Sequence, residues 1–207
     1  MLIVGADENA WGNLAGPMFV TAVVGDPDAI RCGDSKTYSK KGLHHVAAQA
    51  EKDCTAFVTL TGSPRDIAIR GYSATRQWLF WRCIAEARRK VRPRYPTAYI
   101  DGVEDFAVRD SQAIKGGDAT NPVIGAASCI GKVRQVRYML RLHARWPEYG
   151  FDHNRGYGTQ DHIAAIAAHG AIPGVHRIRR CASTLSKRGL PLHFNGNINQ
   201  DYSKEIT

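Results

Sequence analysis

The 207-residue chain lacks a long uninterrupted apolar run, and no stretch approaches the roughly 20 apolar residues that a membrane helix needs. Its apolar start is broken by Asp7 and Glu8, which is not the pattern of a signal peptide. The five cysteines are odd in number and widely spaced, and none forms a Cys-x-x-Cys pair. We therefore expect reduced thiols, a reducing cytoplasmic compartment and no membrane association.

Glycine-rich phosphate-binding motifs are missing as well. The segment "GADENAWG" has neither G-x-G-x-x-G spacing nor a Gly-Lys-Ser sequence, so we expect no nucleotide cofactor. Acidic residues are in the minority, since 28 Lys and Arg stand against 19 Asp and Glu and give a formal charge of +9. This surplus favours a nucleic-acid partner, and the alternative is a basic surface that serves only solubility.

Short β-rich segments and segments with helical periodicity follow one another along the chain, and no internal repeat is present. Their order predicts an α/β or α+β fold around a mixed sheet. The length fits one domain over residues 1–190, and the polar segment 191–207 is expected to be a flexible tail. The predicted strands are 2–6, 17–25, 54–61 and 97–102, and the predicted helices are 39–52, 73–91, 126–145 and 160–169.

Two of the predicted strands end on acids. The first runs into Asp7 and Glu8, and "TAYIDG" stops at Asp101. Buried carboxylates are costly unless a cation receives them, and a divalent metal ion is the strongest such partner. The alternative is that Asp7 caps a turn while Glu8 is solvated.

Five motifs occur in one order: "DENAWGNLAGP", "GDSK", "YIDG", "GGDATNPVIGAASCIGKV" and "YGFDHNRGYGTQDHIAAI". From residue 2 to about residue 177, this order resembles ribonuclease HII, the type 2 ribonuclease H family. The resemblance implies an RNase H-like fold, with a mixed five-stranded sheet flanked by helices and a C-terminal helical extension. It also implies a divalent-metal-dependent endonuclease that cuts RNA, or embedded ribonucleotides, in RNA–DNA duplexes and leaves 5′-phosphate and 3′-hydroxyl ends.

The resemblance assigns Asp7, Glu8 and Asp101 as catalytic metal ligands for Mg²⁺ or Mn²⁺. It implies a fourth carboxylate on the helix after the Ala-Ser motif, in a pattern like "AKVxRDxxM". This chain reads "GKVRQVRYM", which puts Val136 at that position. With a ligand missing, we expect weak or altered activity and a preference for Mn²⁺.

The resemblance also implies a set of substrate-binding residues. The family's Gly-Arg-Gly turn is replaced here by Ala10, Trp11 and Gly12, so recognition of the ribose 2′-hydroxyl is expected to change. Trp11 either stacks on a base or sugar or packs on a neighbouring loop. The implied partner is an RNA–DNA hybrid or a ribonucleotide-containing duplex, and we expect a monomer. The full set is Trp11, Gly12, Lys36, Ser128, Lys132 and Tyr157.

Other readings of the chain stay open at this point. A catalytically impaired nucleic-acid-binding protein, or a related nuclease for branched or pure DNA, fits the same motifs. The stripe "WLFW", residues 78–81, is typical of a helix core. The run "EARRKVRPR", residues 86–94, is either a solvated face or a duplex contact. His162 is expected to be a buried packing residue.

Overall fold

A computed structural model describes residues 1–33 and 35–195, except for the side chains of Lys36 and Lys40. Its sheet has five strands in the order β3-β2-β1-β4-β5. Strand β1 pairs antiparallel with β2 and parallel with β4, and β4 pairs parallel with β5, so the sheet is mixed. The strands are β1 (Ile3–Asn9), β2 (Met18–Gly25), β3 (Ala56–Gly62), β4 (Ala98–Asp101) and β5 (Ser111–Ile114).

Eight α-helices accompany the strands in the described part of the chain, together with 3-10 helices at Ser35–Thr37 and Pro147–Tyr149. None of these helices is long and apolar enough to cross a bilayer. The α-helices are α1 (Lys40–Asp53), α2 (Pro64–Arg70), α3 (Tyr72–Arg89), α4 (Gly117–Thr120), α5 (Pro122–Arg145), α6 (Phe151–Asn154), α7 (Gln160–His169) and α8 (Ile178–Ser186).

Polar side chains at helix starts explain where several helices begin. The Ser39 hydroxyl accepts from Gly42 N at the start of α1. Ser63 and Asp66 form a reciprocal capping box at α2. These contacts satisfy backbone N–H groups that have no partner within the helix.

The chain divides into two compact units. The first comprises Met1–Asn9, Phe19–Thr61 and Arg76–Arg134, and the second comprises Ala10–Met18, Gly62–Thr75 and Gln135–Thr207. The first unit contains the sheet.

Glycines let the sheet and helix α5 approach closely within the first unit. A Cβ atom added to Gly5 on β1 would lie 2.4 Å from the backbone nitrogen of Ile124. One added to Gly131 on α5 would lie 2.1 Å from Oδ1 of Asn9. Any larger residue would therefore push the helix away from the strand that carries the first acids. The same unit has an apolar core that includes Ile3, Val23 and Ile130.

The second unit has its own apolar core, in which Tyr149, Phe151 and Ile166 are buried. The chain stays in contact with this unit beyond residue 190, because Ala171 N donates to His193 O and Asn195 N donates to Ala171 O. The rest of the predicted tail, residues 196–207, lies outside the described residues. The predicted domain boundary at residue 190 stays a prediction.

All eight elements predicted from periodicity are present, with ends that shift by a few residues. The prediction missed β5, α2, α4, α6 and α8. Strand β5 has only four residues, and α4 spans one turn. Segments this short have too few residues to display a period of 2 or 3.6. The expectation that "WLFW" is all helix core is wrong at its end, since Trp81 is 57% exposed.

Candidate active site

The acids at the ends of β1 and β4 lie on neighbouring strands. These strands are parallel, and Ala6 pairs with Ile100. Asp7 and Asp101 are the next residues on each strand, so their side chains point to the same face of the sheet. Two carboxylates far apart in sequence thereby lie at adjacent positions on neighbouring strands.

Asp7 is buried, with 5% of its surface exposed. Its pKa is raised to about 8, first because burial removes water from the carboxylate and then because Glu8, Asp101 and Asp118 repel its charge. A hydrogen bond from Ser128 acts in the opposite direction. Asp7 therefore has a strong need for a positive partner if it is to stay ionised at neutral pH.

Glu8 receives one positive partner from the protein. Its Oε1 lies 3.0 Å from Nη2 of Arg76, and both side chains are more than four-fifths buried. Its Oε2 is buried and has no hydrogen-bond partner among the described residues. Burial raises the pKa of Glu8, Arg76 lowers it, and Asp101 raises it further.

Asp101 leads to an acid that the sequence analysis missed. Oδ1 of Asp101 accepts a hydrogen bond from Gly117 N at 2.7 Å. Asp118 follows Gly117 in the chain and is only 7% exposed. The sequence predicted three carboxylate ligands, with Val136 at the position of the fourth, and that assignment stays a prediction. Asp118 is a further acid, which acts electrostatically on Asp7.

A sequence signal for Asp118 exists. The segment "KGGDATNP" follows the short strand β5, so Asp118 comes just after a strand. Asp101 is placed similarly, because it is the last residue of β4. The four-residue β5 was not recognised from its pattern, and the acid behind it was therefore not connected to the other strand ends.

The donor chemistry of these four side chains fits a divalent cation. Carboxylate oxygens are the ligands that Mg²⁺ and Mn²⁺ prefer, and Oε2 of Glu8 is a buried oxygen that lacks a partner. The side chains do not converge on one point, since no three His, Cys, Asp or Glu residues of the described chain are placed to hold a metal ion together. Arg76 and Gly117 N–H currently engage Glu8 and Asp101.

The other predicted residues of the first unit lie on or near α5. Ser128 is buried, and its hydroxyl donates to Oγ of Ser35 at 3.0 Å and is near enough to Asp7 to lower its pKa. Lys132 lies one turn further along α5 and is half-buried. Lys36 belongs to the 3-10 helix Ser35–Thr37, and its side chain lies outside what the structure describes.

In the second unit, Arg177 holds the turn that contains Trp11 and Gly12. Its guanidinium is buried and donates to the carbonyl oxygens of Ala10, Trp11 and Gly16 at 2.7 to 2.9 Å. Ala10 adopts a left-handed conformation with φ of 67°. The turn is therefore fixed by its backbone, and a side chain distant in sequence supplies the donors.

Trp11 packs within the second unit. Its ring meets Tyr72 edge-on, with 5.5 Å between the centroids. This contact agrees with the packing alternative for Trp11 and leaves the ring half-buried. The space beside Gly12 is open, because an added Cβ would meet only Nη2 of Arg180, at 4.0 Å.

The loop of Tyr157 is bound to the same turn. Leu14 N donates to Gly156 O at 2.7 Å, and the Asn13 side chain donates to Arg155 O at 2.7 Å. A Cβ added to Gly156 would lie 2.6 Å from the Ala15 carbonyl oxygen, so a glycine is required there. Tyr157 itself is 39% exposed. The structure therefore brings three of the predicted substrate-binding residues, Trp11, Gly12 and Tyr157, into one assembly of loops.

Buried histidines support this loop from inside the second unit. His162 Nδ1 lies 2.8 Å from Tyr157 O, and its Nε2 lies 3.2 Å from Nε2 of His176. His176 Nδ1 accepts from Ile172 N, and burial followed by repulsion from His162 lowers the pKa of His176 to about 3. The packing role predicted for His162 agrees with these contacts.

Solved structures with this architecture identify the fold. The crystal structure of ribonuclease H2 from Pyrococcus horikoshii OT3 aligns with a TM-score of 0.72 at 20% identity, over 90% of this chain and 98% of that one. Bst-RNase HIII, crystallised in complex with Mn²⁺, aligns with a TM-score of 0.72 at 15% identity, over 90% of this chain and 70% of that one. The fold is thus the RNase H-like fold of type 2 ribonucleases H.

Sequence comparison gives the family. The model of the ribonuclease HII family matches residues 4–184. Ribonuclease HII from Xylella fastidiosa (strain M12) is 38% identical over 175 residues, which cover 82% of this chain and 73% of that protein. The chain belongs to the ribonuclease HII family, whose members are endoribonucleases of the hydrolase class.

Proposed function

We propose that this chain is a divalent-metal-dependent endonuclease that cleaves RNA strands or embedded ribonucleotides in RNA–DNA duplexes. Asp7, Glu8, Asp101 and Asp118 hold the metal. The observation that carries this proposal is that three further carboxylates, those of Glu8, Asp101 and Asp118, lie near enough to the buried Asp7 to act on its charge. Mutually repelling buried acids are a cost to folding, which is explained if a bound cation offsets it.

The protein's own residues position the reaction. A bound divalent ion would supply an activated water and neutralise charge on the phosphate. The register of β1 and β4 holds Asp7 beside Asp101, and Gly117 N–H orients the Asp101 carboxylate. The Ser128 hydroxyl lies near Asp7 and lowers the pKa of that carboxyl, which favours its ionised form. Cleavage that leaves a 3′-hydroxyl and a 5′-phosphate then needs no side-chain nucleophile.

We propose that the loops of the second unit bind the substrate through Gly12, Trp11 and Tyr157. The open space at Gly12 allows a sugar to approach the backbone, and Tyr157 is exposed enough to stack on one. Lys36 and Lys132 are proposed to contact phosphates as positioning contacts.

A nucleic-acid-binding protein without catalysis was suggested by the apparent loss of one ligand at Val136. We propose that Asp118 supplies the fourth carboxylate, because it acts electrostatically on Asp7, and the alternative then loses its main support. The preference for Mn²⁺ rested on the same supposed loss, so we propose Mg²⁺ and Mn²⁺ as metals without a strong preference between them.

The test is single-turnover cleavage of three duplexes: one with a single ribonucleotide, a full RNA–DNA hybrid and pure DNA. Asp118→Asn is expected to lower ribonucleotide cleavage by at least about a hundredfold, since residues that merely orient metal ligands are worth 10- to 100-fold. Val136→Asp is the matched control and is expected to change the rate in Mg²⁺ by less than about twofold.

Two outcomes would contradict the proposal. If Asp118→Asn retains full activity while Val136→Asp gains activity in Mg²⁺, the ligand set with its gap at residue 136 is the correct one. If the wild-type protein binds all three duplexes and cleaves none in either metal, the binding-protein alternative holds.

A further inference from the structure

A cavity of about 440 Å³ lies in the first unit, beside the C-terminal end of α3. This volume falls in the range of about 300 to 1,000 Å³ that small-ligand sites occupy. We call it the arginine pocket, because five arginines line it and none of the described lining residues is acidic. They are Arg88, Arg89, Arg92, Arg94 and Arg109.

Arg88 forms a fixed base for the arginine pocket. It is 4% exposed and donates to the carbonyl oxygens of Pro96, Arg109 and Asp110 at 2.7 to 3.0 Å. It also donates to the hydroxyl of Tyr95 and lies 4.2 Å from the centre of that ring. These contacts hold the segment before β4 and the segment before β5 together.

The remaining arginines leave a surplus of positive charge. Arg89 pairs with Glu86 at 2.9 Å, and Arg109 pairs loosely with Asp110 at 3.4 Å. Arg92 and Arg94 are exposed, and neither has an ion pair within the described residues. A ligand that carries negative charge is therefore favoured over water in this pocket.

Trp81 adds an aromatic surface at the same place. It lines the pocket and is 57% exposed. No other ring or cation of the described chain lies against its indole face, whereas Arg88 covers the ring of Tyr95. An exposed indole beside unpaired arginines is the combination that binds unstacked bases together with their phosphates.

The arginine pocket is separate from the carboxylate site. Arg88 bonds the backbone just before β4 and β5, whereas Asp101 is the last residue of β4. The three residue steps from Ala98 to Asp101 span about 10 Å at the usual rise of a strand. The two groups thus lie at opposite ends of the same strands.

We propose that the arginine pocket binds a single-stranded nucleic-acid segment. One base stacks on Trp81, and Arg92 and Arg94 contact the adjoining phosphates. The paired bases of an intact duplex cannot present a free face to Trp81, so an unpaired strand fits better than a duplex. An acidic peptide would satisfy the arginines but would make no such use of the indole.

The experiment measures binding of a short fluorescein-labelled oligothymidylate to the full chain in EDTA, across a salt series. Trp81→Ala is expected to weaken binding at least about fivefold, the lower end of the measured effect of losing one stacked base. Arg92→Ser/Arg94→Ser is expected to reduce the salt slope by about 1.4, at about 0.7 for each lost phosphate contact. The matched control is Arg65→Ser/Arg188→Ser, which removes two exposed arginines outside the pocket.

Equal losses in the pocket and control double variants would overturn the proposal, because net charge alone would then explain binding. Unchanged binding by Trp81→Ala would overturn it too, as would an oligoglutamate that competes as well as unlabelled oligothymidylate. Cleavage of a short blunt duplex is expected to stay at the wild-type rate in the pocket variants. The binding assay needs no cleavage, so a failure of the proposed nuclease function would leave this test intact.

Discussion

Buried ionisable groups occur in both units, and their surroundings differ in kind. In the second unit, the Arg177 guanidinium donates to three backbone carbonyl oxygens, and His162 and His176 bond each other and the backbone. In the first unit, Asp7 is surrounded by other acids, and Oε2 of Glu8 has no hydrogen-bond partner within the described residues.

The difference separates a structural polar network from a functional one. A buried polar group with all its partners contributes to holding one conformation. A buried group that repels its neighbours costs free energy until a ligand arrives, and such groups cluster at functional sites. On this criterion Arg177 is a structural residue, and Asp7 is the centre of a site.

The largest effect is expected from Arg177→Met. This change leaves three carbonyl oxygens without donors and is expected to lower the free energy of unfolding by at least about 3 kcal/mol, at 1 kcal/mol or more for each buried acceptor left unpaired. Urea unfolding measures it, with the exposed Arg188→Met as control. Similar stabilities of the two variants would show that the contacts of Arg177 are dispensable, and the comparison between the units would fail.

Asp7→Asn is expected to raise the free energy of unfolding when no metal is bound, which is opposite in sign to the effect of Arg177→Met. Because the folded-state pKa of Asp7 is raised to about 8, its contribution to stability is lost as pH rises from about 4 through 8. A neutral amide avoids this loss and is expected to stabilise the fold by about 1 to 3 kcal/mol at pH 8 in EDTA, or about 2 to 4 °C in Tm for each kcal/mol.

The same variant is expected to lose the rise in Tm that Mn²⁺ produces in the wild type, since binding to the folded state stabilises it. Asp28→Asn, an exposed acid of the same unit, is the control and is expected to change neither quantity. A destabilised Asp7→Asn that still responds to Mn²⁺ would place the metal elsewhere.

Arg76 is expected to compete with the metal for Glu8. Arg76→Met frees Oε1 of Glu8 and keeps apolar bulk beside Phe106, which lies 4.8 Å from the guanidinium. We expect Mn²⁺ affinity to rise about tenfold, which corresponds to about 1.4 kcal/mol.

Calorimetric titration with Mn²⁺ measures this affinity directly and requires no turnover. Arg89→Met is the matched control, because it removes a salt bridge to Glu86 on the same helix. An unchanged or lower affinity in Arg76→Met would mean that Arg76 assists metal binding and does not oppose it.

The smallest effect concerns the buried histidines. The pKa of His176 is lowered to about 3 in the folded state against about 6.5 in the unfolded state, so the unfolded chain binds the extra proton between these values. Stability is therefore expected to fall by about 1 kcal/mol as pH drops from 7 to 5.5. Urea unfolding of Asp7→Asn, in which the opposing titration of Asp7 is absent, checks this. A flat profile would show that His176 is protonated in the fold.

Much of the fold was predictable because its signals are local. The apolar β-rich run before Asp7 and the segment "TAYIDG" identify β1 and β4 within a few residues, and Ser39 is the expected kind of cap for α1. Periodicity failed where an element was too short to show it, as in β5 and α4. The loss of β5 from the prediction also hid Asp118.

The candidate site was predictable in part for the same reason. Asp7, Glu8 and Asp101 are each visible as acids at strand ends, and the register of β1 and β4 brings Asp7 and Asp101 together. The residues that contact these acids could not be predicted from the sequence. Arg76 lies within a helix whose sequence shows no link to Glu8, and Trp81 belongs to an apolar stripe that predicted burial.

The sequence alone specifies the strands, the helices and the acids that end the strands, because those properties depend on neighbouring residues and on the backbone period. Tertiary packing decides which of the acids become partners and how strongly each one is desolvated. Asp7 and Asp118 are coupled across more than a hundred residues, and Arg177 reaches the carbonyl of Ala10 across 167 positions. Burial and Coulomb repulsion depend on distances in space, and only the folded chain sets them.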